Sequence, residues 1–145
     1  MKRKFIGYIS ILMLVLQINS AGCKSQSNVT FGQLISDPGR YSGKRVTVEG
    51  FYFDSFEFMG LCEKLIVLNN GRFAPDGEVF WLNGGLPKEI YDKLSAQQVE
   101  MGGFTQHYGK MLVTGKFEYG GMYSHLGGFD YQITPEKVEL LPSSK

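Results

Sequence analysis

The amino-terminal part of this 145-residue chain carries one continuous apolar stretch, residues 5–18, directly after a short basic segment. Its 14 residues match the hydrophobic region of a secretory signal, whereas a membrane-spanning helix needs about 20 residues. The small residues Ala21 and Gly22 then precede Cys23. The pattern predicts a signal peptide over residues 1–22.

Most of the remaining chain alternates apolar and polar residues, which predicts strands, while apolar residues at helical spacing predict two short helices. The first helix follows Thr30, a residue suited to an N-cap, and the second covers 87–94 and begins at Pro87. The predicted strands cover residues 45–53, 61–68, 78–82, 110–119 and 129–140.

Glycine and proline interrupt these strands at informative positions. Gly50 and Gly115 lie inside apolar strands, where glycine is normally unfavourable, so we expect the strands to bend there or to approach another backbone closely. Gly120 and Gly121 are expected to end the fourth strand. Pro135 predicts a bulge or an edge in the last strand.

The order of these elements predicts a mainly β fold. A short amino-terminal helix, three strands, a second helix and two strands match a five-stranded OB-fold-like Greek-key barrel with a helix between strands 3 and 4. A β-sandwich is the alternative, but it needs about seven strands. We therefore expect a signal peptide over 1–22, a lipidated cysteine and polar tether over 23–29, and an OB-fold-like domain over 30–145.

The residues around Cys23 are similar to a lipobox, where the signal of a bacterial lipoprotein is cut before a cysteine whose thiol carries a diacylglycerol. Ser20 departs from that pattern, since an aliphatic residue is usual there. The likeness predicts lipidation of Cys23, palmitate included, and Lys24 resembles the class sorted to the outer membrane, facing the periplasm. An ordinary signal cut near Ala21 or Gly22 is the alternative, and it leaves Cys23 as a plain thiol.

Further stretches of the sequence carry a resemblance to a known group of proteins. They are 34–50, LISDPGRYSGKRVTVEG; 79–82, VFWL; and 113–117 with 125–129, VTGKF and HLGGF. On these residues the chain resembles small bacterial lipoproteins with an OB-fold-like domain of the tRNA-anticodon-binding-like type. The resemblance implies a fold and a location in the cell envelope. It says hardly anything about activity, because such proteins are largely uncharacterised and the shared residues are turn glycines, a capping proline and strand hydrophobes.

The charge balance of the mature chain bears on whether its partner is a nucleic acid. Three of the 15 basic residues lie in the predicted signal, which leaves 12 basic and 14 acidic residues and a net charge of −2. Affinity for nucleic acid depends on Lys and Arg displacing counterions. A net acidic domain therefore disfavours nucleic acid.

Sequence motifs of catalysis are scarce. The sequence contains no Gly-x-Ser-x-Gly elbow, phosphate loop or His-Glu-x-x-His pair. Cys62 lies in an apolar strand and is expected to be a buried structural thiol, while His107 and His125 lie in glycine-flanked segments typical of surface loops. A zinc site would need these residues to converge from unrelated segments. We therefore expect no enzymatic activity, no cofactor and no metal.

Aromatic residues are abundant, with 11 Phe, 8 Tyr and 1 Trp. They either fill a small barrel or form a stacking surface for a ligand on its outer face. The candidate ligand-binding residues are Phe56, Phe58, Trp81, Tyr123 and His125.

The aromatic and charge patterns together give two hypotheses of function. Phe56 and Phe58 lie beside Asp54 and Glu57, a setting that suits a neutral glycan, a peptide or a protein better than nucleic acid. The leading hypothesis is a membrane-tethered, non-catalytic binding or scaffold module of the bacterial cell envelope, with an envelope protein or glycan as partner. The alternative is an OB-fold domain that binds an oligosaccharide or nucleic acid by aromatic stacking.

Overall fold

The computed structural model describes residues 27–56, 58–99 and 103–142, and its fold is mainly β. The predicted signal peptide and Cys23 lie outside the described residues. The elements are β1 Ser27–Val29, α1 Phe31–Ser36, α2 Pro38–Tyr41, β2 Arg45–Ser55, β3 Phe58–Val67, β4 Phe73–Leu82, α3 Lys88–Tyr91, β5 Ser95–Gln98, β6 Thr105–Tyr123 and β7 Phe129–Leu140.

The described strands form one sheet in the order β1-β2-β3-β4-β7-β6-β5, and β2 also pairs with β6. The predicted mainly β class is confirmed. The sheet contains seven strands rather than the five predicted, because β1 and β5 are short segments that become strands by pairing with β2 and β6. Within the described ranges, no helix is both long enough and apolar enough to cross a bilayer.

The first helix forms where the sequence predicts it. The Thr30 side chain accepts a hydrogen bond from the Gln33 amide at 3.2 Å, and the Gln33 side chain accepts one from the Thr30 amide at 2.9 Å. This reciprocal arrangement satisfies two amides that the first turn leaves without helical partners. Phe31 and Leu34 then point into the core, where both are buried.

The segment predicted as a polar tether ends earlier than expected. Its last three residues, 27–29, form β1, which pairs in parallel with Val46–Val48 of β2. Val29 is 9% exposed and belongs to the hydrophobic core. β1 thus adds a short strand to the sheet beside β2, and the sheet begins at Ser27, the fourth residue after Cys23.

The β6–β7 hairpin corrects one prediction and confirms another. Gly120 and Gly121 do not end the strand, since β6 continues to Tyr123. A register shift between Tyr119 and Tyr123 accommodates Gly120, whose φ is 85°. A second register shift lies where Gly115 faces Pro135, so the predicted bulge in the last strand is confirmed.

The core is formed by β-strand side chains closed at one side by α1. Phe31 stacks on Phe80 with ring centroids 4.4 Å apart, and Phe80 also contacts Phe117 and Tyr131. At Gly50 a side chain of α1 packs directly against the sheet. A Cβ atom there would lie 2.7 Å from Phe31 Cε2 and 2.8 Å from the Cys62 carbonyl oxygen.

Candidate ligand-binding surface

Five rings follow one another from Phe53, which is buried at 4% exposure, to the exposed His125, and we call them the aromatic row. Consecutive centroids lie 6.0, 5.6, 5.7 and 6.4 Å apart. In order, the aromatic row consists of Phe53, Phe58, Phe129, Trp81 and His125. These spacings fall in the range of offset and edge-to-face ring contacts.

The strand alternation of β4 places Trp81 on the outer face. Phe80 and Leu82 on either side are 0% exposed and point into the core. Successive side chains of a strand point to opposite faces, so Trp81 faces outward and stays partly exposed. In the parallel pairing of β4 with β7, Trp81 lies beside Gln132.

The turn between β6 and β7 carries His125 to the end of the aromatic row. The Ser124 hydroxyl accepts a hydrogen bond from the Leu126 amide at 3.2 Å, and the Ser124 carbonyl accepts one from the Gly127 amide at 3.2 Å. Ser124 has a φ of 72°, a conformation that is uncommon outside glycine. The turn leaves His125 exposed and edge-on to Trp81, as the sequence predicts for a surface loop.

Tyr123 lies next to the aromatic row, opposite Phe129 in the β6–β7 register. Its ring folds over Gly121, where a Cβ atom would lie 2.6 Å from Tyr123 Cζ. Gly121 therefore leaves room for the Tyr123 ring, whereas the sequence predicted only that it ends the strand. Of the five candidate residues, Phe58, Trp81 and Tyr123 thus lie against Phe129, and His125 joins them through Trp81. Phe129 itself was not among the candidate ligand-binding residues.

Phe56 is not part of the aromatic row. Its side chain is 69% exposed, and its ring contacts Phe104 at a centroid distance of 6.1 Å. The Arg72 guanidinium lies 5.6 Å from the centre of the same Phe104 ring, within cation–π distance. Phe56 belongs to this separate group, which the sequence did not indicate.

Polar side chains border the aromatic row on the Trp81 side. Gln132 Nε2 donates to Glu118 Oε2 at 2.9 Å, and Lys116 Nζ lies 2.7 Å from Glu118 Oε1. The hydrogen bonds from Lys116 and Gln132 lower the pKa of Glu118. A carboxamide and an ionised carboxylate beside an exposed indole offer hydrogen-bonding groups next to an apolar surface, the usual composition of a small-ligand site.

A second polar cluster joins α3 to the sheet. The Tyr91 hydroxyl donates to Asp54 Oδ2 at 2.8 Å and lies 2.9 Å from His107 Nδ1. Burial and the hydrogen bond to Asp54 raise the pKa of Tyr91 to about 12, so the phenol stays protonated near neutral pH. His107 lies within β6, opposite Asp54, and its prediction as a surface-loop residue is wrong.

The buried cysteine has a structural environment. Cys62 Sγ donates to the Lys64 carbonyl at 3.1 Å and lies 3.4 Å from the Phe51 carbonyl. Burial raises the pKa of the thiol to about 12, which keeps it in the unreactive protonated form. Among the residues that the structure describes, no three His, Cys, Asp or Glu side chains are grouped to hold a metal ion.

Comparison of the chain with protein families, with curated proteins and with solved structures finds no match.

Proposed function

We propose that this protein is a non-catalytic binding module of the bacterial cell envelope, anchored through lipidated Cys23, whose aromatic row binds a neutral oligosaccharide. The observation that carries the proposal is the continuous line of rings ending at the partly exposed Trp81 and the exposed His125. Sugar rings present apolar C–H faces and a rim of hydroxyl groups. The Trp81 ring can stack on an apolar C–H face, and the side chains of Gln132 and Glu118 beside it can form hydrogen bonds with the hydroxyl groups.

The strand pairing supports an OB-fold-like barrel as the scaffold of this site. The pairing runs β2-β3-β4-β7-β6, and the additional β2–β6 ladder leads back to β2. In this interpretation β1 and β5 are extensions of a five-stranded barrel, and α3 lies between its third and fourth strands. The aromatic row then occupies the face and the loop that OB-folds use to bind oligonucleotides and oligosaccharides.

Charge favours a neutral ligand over nucleic acid on this surface. Glu118 adjoins Gln132, and Asp130 follows Phe129 directly in β7. Lys116 is held by Glu118 at 2.7 Å. A single strand of DNA or RNA would bring its phosphates towards these carboxylates, at a cost that binding sites for single strands avoid by lining the groove with cations.

The proposed location is the outer membrane, facing the periplasm. Its support comes from the signal-like segment 1–22, the small residues before Cys23 and Lys24 after it. A cysteine that carries several acyl chains needs no spanning helix, because each buried methylene contributes about 0.8 kcal/mol to membrane binding. Labelling of the wild-type protein, but not of Cys23→Ser, by a radioactive fatty acid would support the anchor, and an unlabelled wild type would refute it.

Trp81 makes the ligand proposal directly measurable, because it is the one tryptophan in the sequence. Titration of the mature chain with neutral oligosaccharides should shift or quench its emission in a saturable way. Phe56→Ala is the matched control, since it removes an exposed ring that lies outside the aromatic row. It should leave the titration unchanged, whereas His125→Ala should weaken it.

Two outcomes of the titration would contradict the glycan proposal. If a panel of neutral oligosaccharides leaves Trp81 emission unchanged and single-stranded DNA changes it saturably, the nucleic-acid alternative replaces the glycan proposal. If neither changes the emission, the aromatic row is not the binding surface.

A further inference from the structure

A basic groove of about 600 Å³ lies between β1, α2 and the beginning of β2. None of the five rings of the aromatic row lines it, although Lys116 belongs both to this groove and to the polar border of the row. The charged side chains that line it are Arg40, Lys44, Arg45, Lys116 and Glu136. Four cations and one carboxylate give this groove a positive excess, although the mature chain as a whole has a net charge of −2. The asymmetry indicates an anionic ligand.

Two of the four cations, Arg40 and Lys44, are available to a ligand, because the other two already form ion pairs. Arg45 Nε lies 2.6 Å from Glu136 Oε2, and Lys116 Nζ lies 2.7 Å from Glu118 Oε1, so these two are already paired. Arg40 and Lys44 are exposed, and neither forms an ion pair with another described residue. Arg40 instead packs its guanidinium 5.6 Å from the centre of the Tyr41 ring.

The groove lies next to the point where the described chain begins. Asn28 and Val29 line it, and Ser27 pairs with Val46, another lining residue. Three residues lie between Cys23 and Ser27, and an extended chain spans at most about 14 Å from one to the other. An acyl anchor on Cys23 would therefore hold the groove close to the membrane surface.

We propose that this groove binds anionic phospholipid headgroups of the membrane that carries the anchor, and so fixes the orientation of the domain on that membrane. The inference rests on the proposed lipidation of Cys23. The guanidinium of Arg40 suits a phosphate because it donates two parallel hydrogen bonds, and the ammonium of Lys44 adds a compact positive charge. The acyl anchor supplies attachment, and the groove supplies orientation.

The test uses the mature chain, residues 23–145, prepared without acyl groups and sedimented with vesicles. The vesicles consist of phosphatidylcholine alone or of phosphatidylcholine mixed with phosphatidylglycerol. The groove variant is Arg40→Gln with Lys44→Gln. The matched control is Lys64→Gln with Lys93→Gln, which removes the same charge from two exposed residues that do not line the groove.

The wild type should bind the anionic vesicles more tightly than the neutral ones, and salt should weaken that binding. Loss of two surface cations should weaken binding about 25-fold, at about fivefold for each cation near an anionic membrane. The control should bind within about twofold of the wild type, because neither of its lysines lines the groove.

Three outcomes would overturn the proposal: equal binding to both kinds of vesicle, equal losses in the groove variant and the control, or a groove that binds inorganic phosphate in solution but no vesicle. The third would assign the groove to a free anion. Because the chain is unacylated and keeps Trp81, these outcomes are independent of fatty-acid labelling and of the oligosaccharide titration, which test the proposed function.

Discussion

Replacing Gly50 by valine should destabilise the protein, because the sheet leaves no room for a side chain at this position. The first added atom, Cβ, would lie 2.7 Å from Phe31 Cε2, 2.8 Å from the Cys62 carbonyl oxygen and 3.1 Å from Leu61 Cγ. The carbonyl belongs to the paired strand β3 and cannot move without disturbing the β2–β3 ladder. The two methyl groups of valine then enlarge the clash.

The expected loss is about 1–3 kcal/mol of unfolding free energy, the usual cost of overpacking a core. The smaller entropy of the unfolded valine chain offsets only about 0.4–1 kcal/mol of this. Gly39→Ala is the matched control. Gly39 lies in α2 with no atom within 4 Å of the added Cβ, so alanine there should be neutral or stabilising by up to about 1 kcal/mol.

Urea unfolding followed by Trp81 emission measures both variants against the wild type. A Gly50→Val protein as stable as the wild type would show that β2 has room at this position. The close approach of α1 and β3 to Gly50 would then be refuted.

Three further predictions concern the helix cap, the polar cluster and the buried thiol. Thr30→Ala should cost about 1 kcal/mol in urea unfolding because it removes the α1 capping box, whereas Thr30→Ser should retain most of the stability; an alanine variant as stable as the wild type would contradict the cap. The raised pKa of Tyr91 means that its protonated form is favoured in the folded state, so this contribution is present below about pH 10 and is lost as pH rises towards about 12. Tyr91→Phe should therefore show a shallower alkaline loss of stability than the wild type, and identical pH profiles would contradict the hydrogen bond to Asp54. In the unacylated chain at about pH 8, a thiol reagent should modify Cys62 only upon unfolding; rapid modification of Cys62 in the folded chain would refute its burial.

The sequence predicts the elements whose stability is local. Thr30 and Gln33 lie three residues apart, so the capping box can be read directly from the sequence. The close approach at Gly50 and the bulge at Pro135 can also be predicted from the sequence. Glycine inside an apolar strand and proline inside a strand each imply a specific backbone irregularity. These predictions need no knowledge of distant contacts.

The strands β1 and β5 could not be predicted because each is short, polar and stabilised by its partner strand. Ser27–Val29 depends on Val46–Val48 for its pairing, and Ser95–Gln98 depends on 105–108 of β6. Neither segment has the apolar alternation that marks a strand in sequence. Pairing with a partner strand, rather than local propensity, determines them.

In the candidate site, too, the residue types could be predicted from the sequence, but the contacts between distant residues could not. Composition pointed to Trp81, His125, Phe58 and Tyr123, but their assembly depends on Phe129, which the β6–β7 hairpin brings against β3 and β4. The cluster of Asp54, Tyr91 and His107 was missed for a related reason. Its members lie 37 and 16 residues apart in sequence and carry no motif spacing.

The most direct test of the proposed binding surface is the single indole N–H signal of Trp81 in an NMR titration of the mature chain with a neutral oligosaccharide. We expect this signal to shift saturably, together with the ring signals of His125 and Phe129, while the ring signals of Phe56 stay unchanged. Trp81→Ala should weaken the affinity by about 2 kcal/mol, or about thirtyfold in Kd. An oligosaccharide that binds without moving the Trp81 indole, or that binds Trp81→Ala as tightly as the wild type, would contradict the aromatic row as the ligand site.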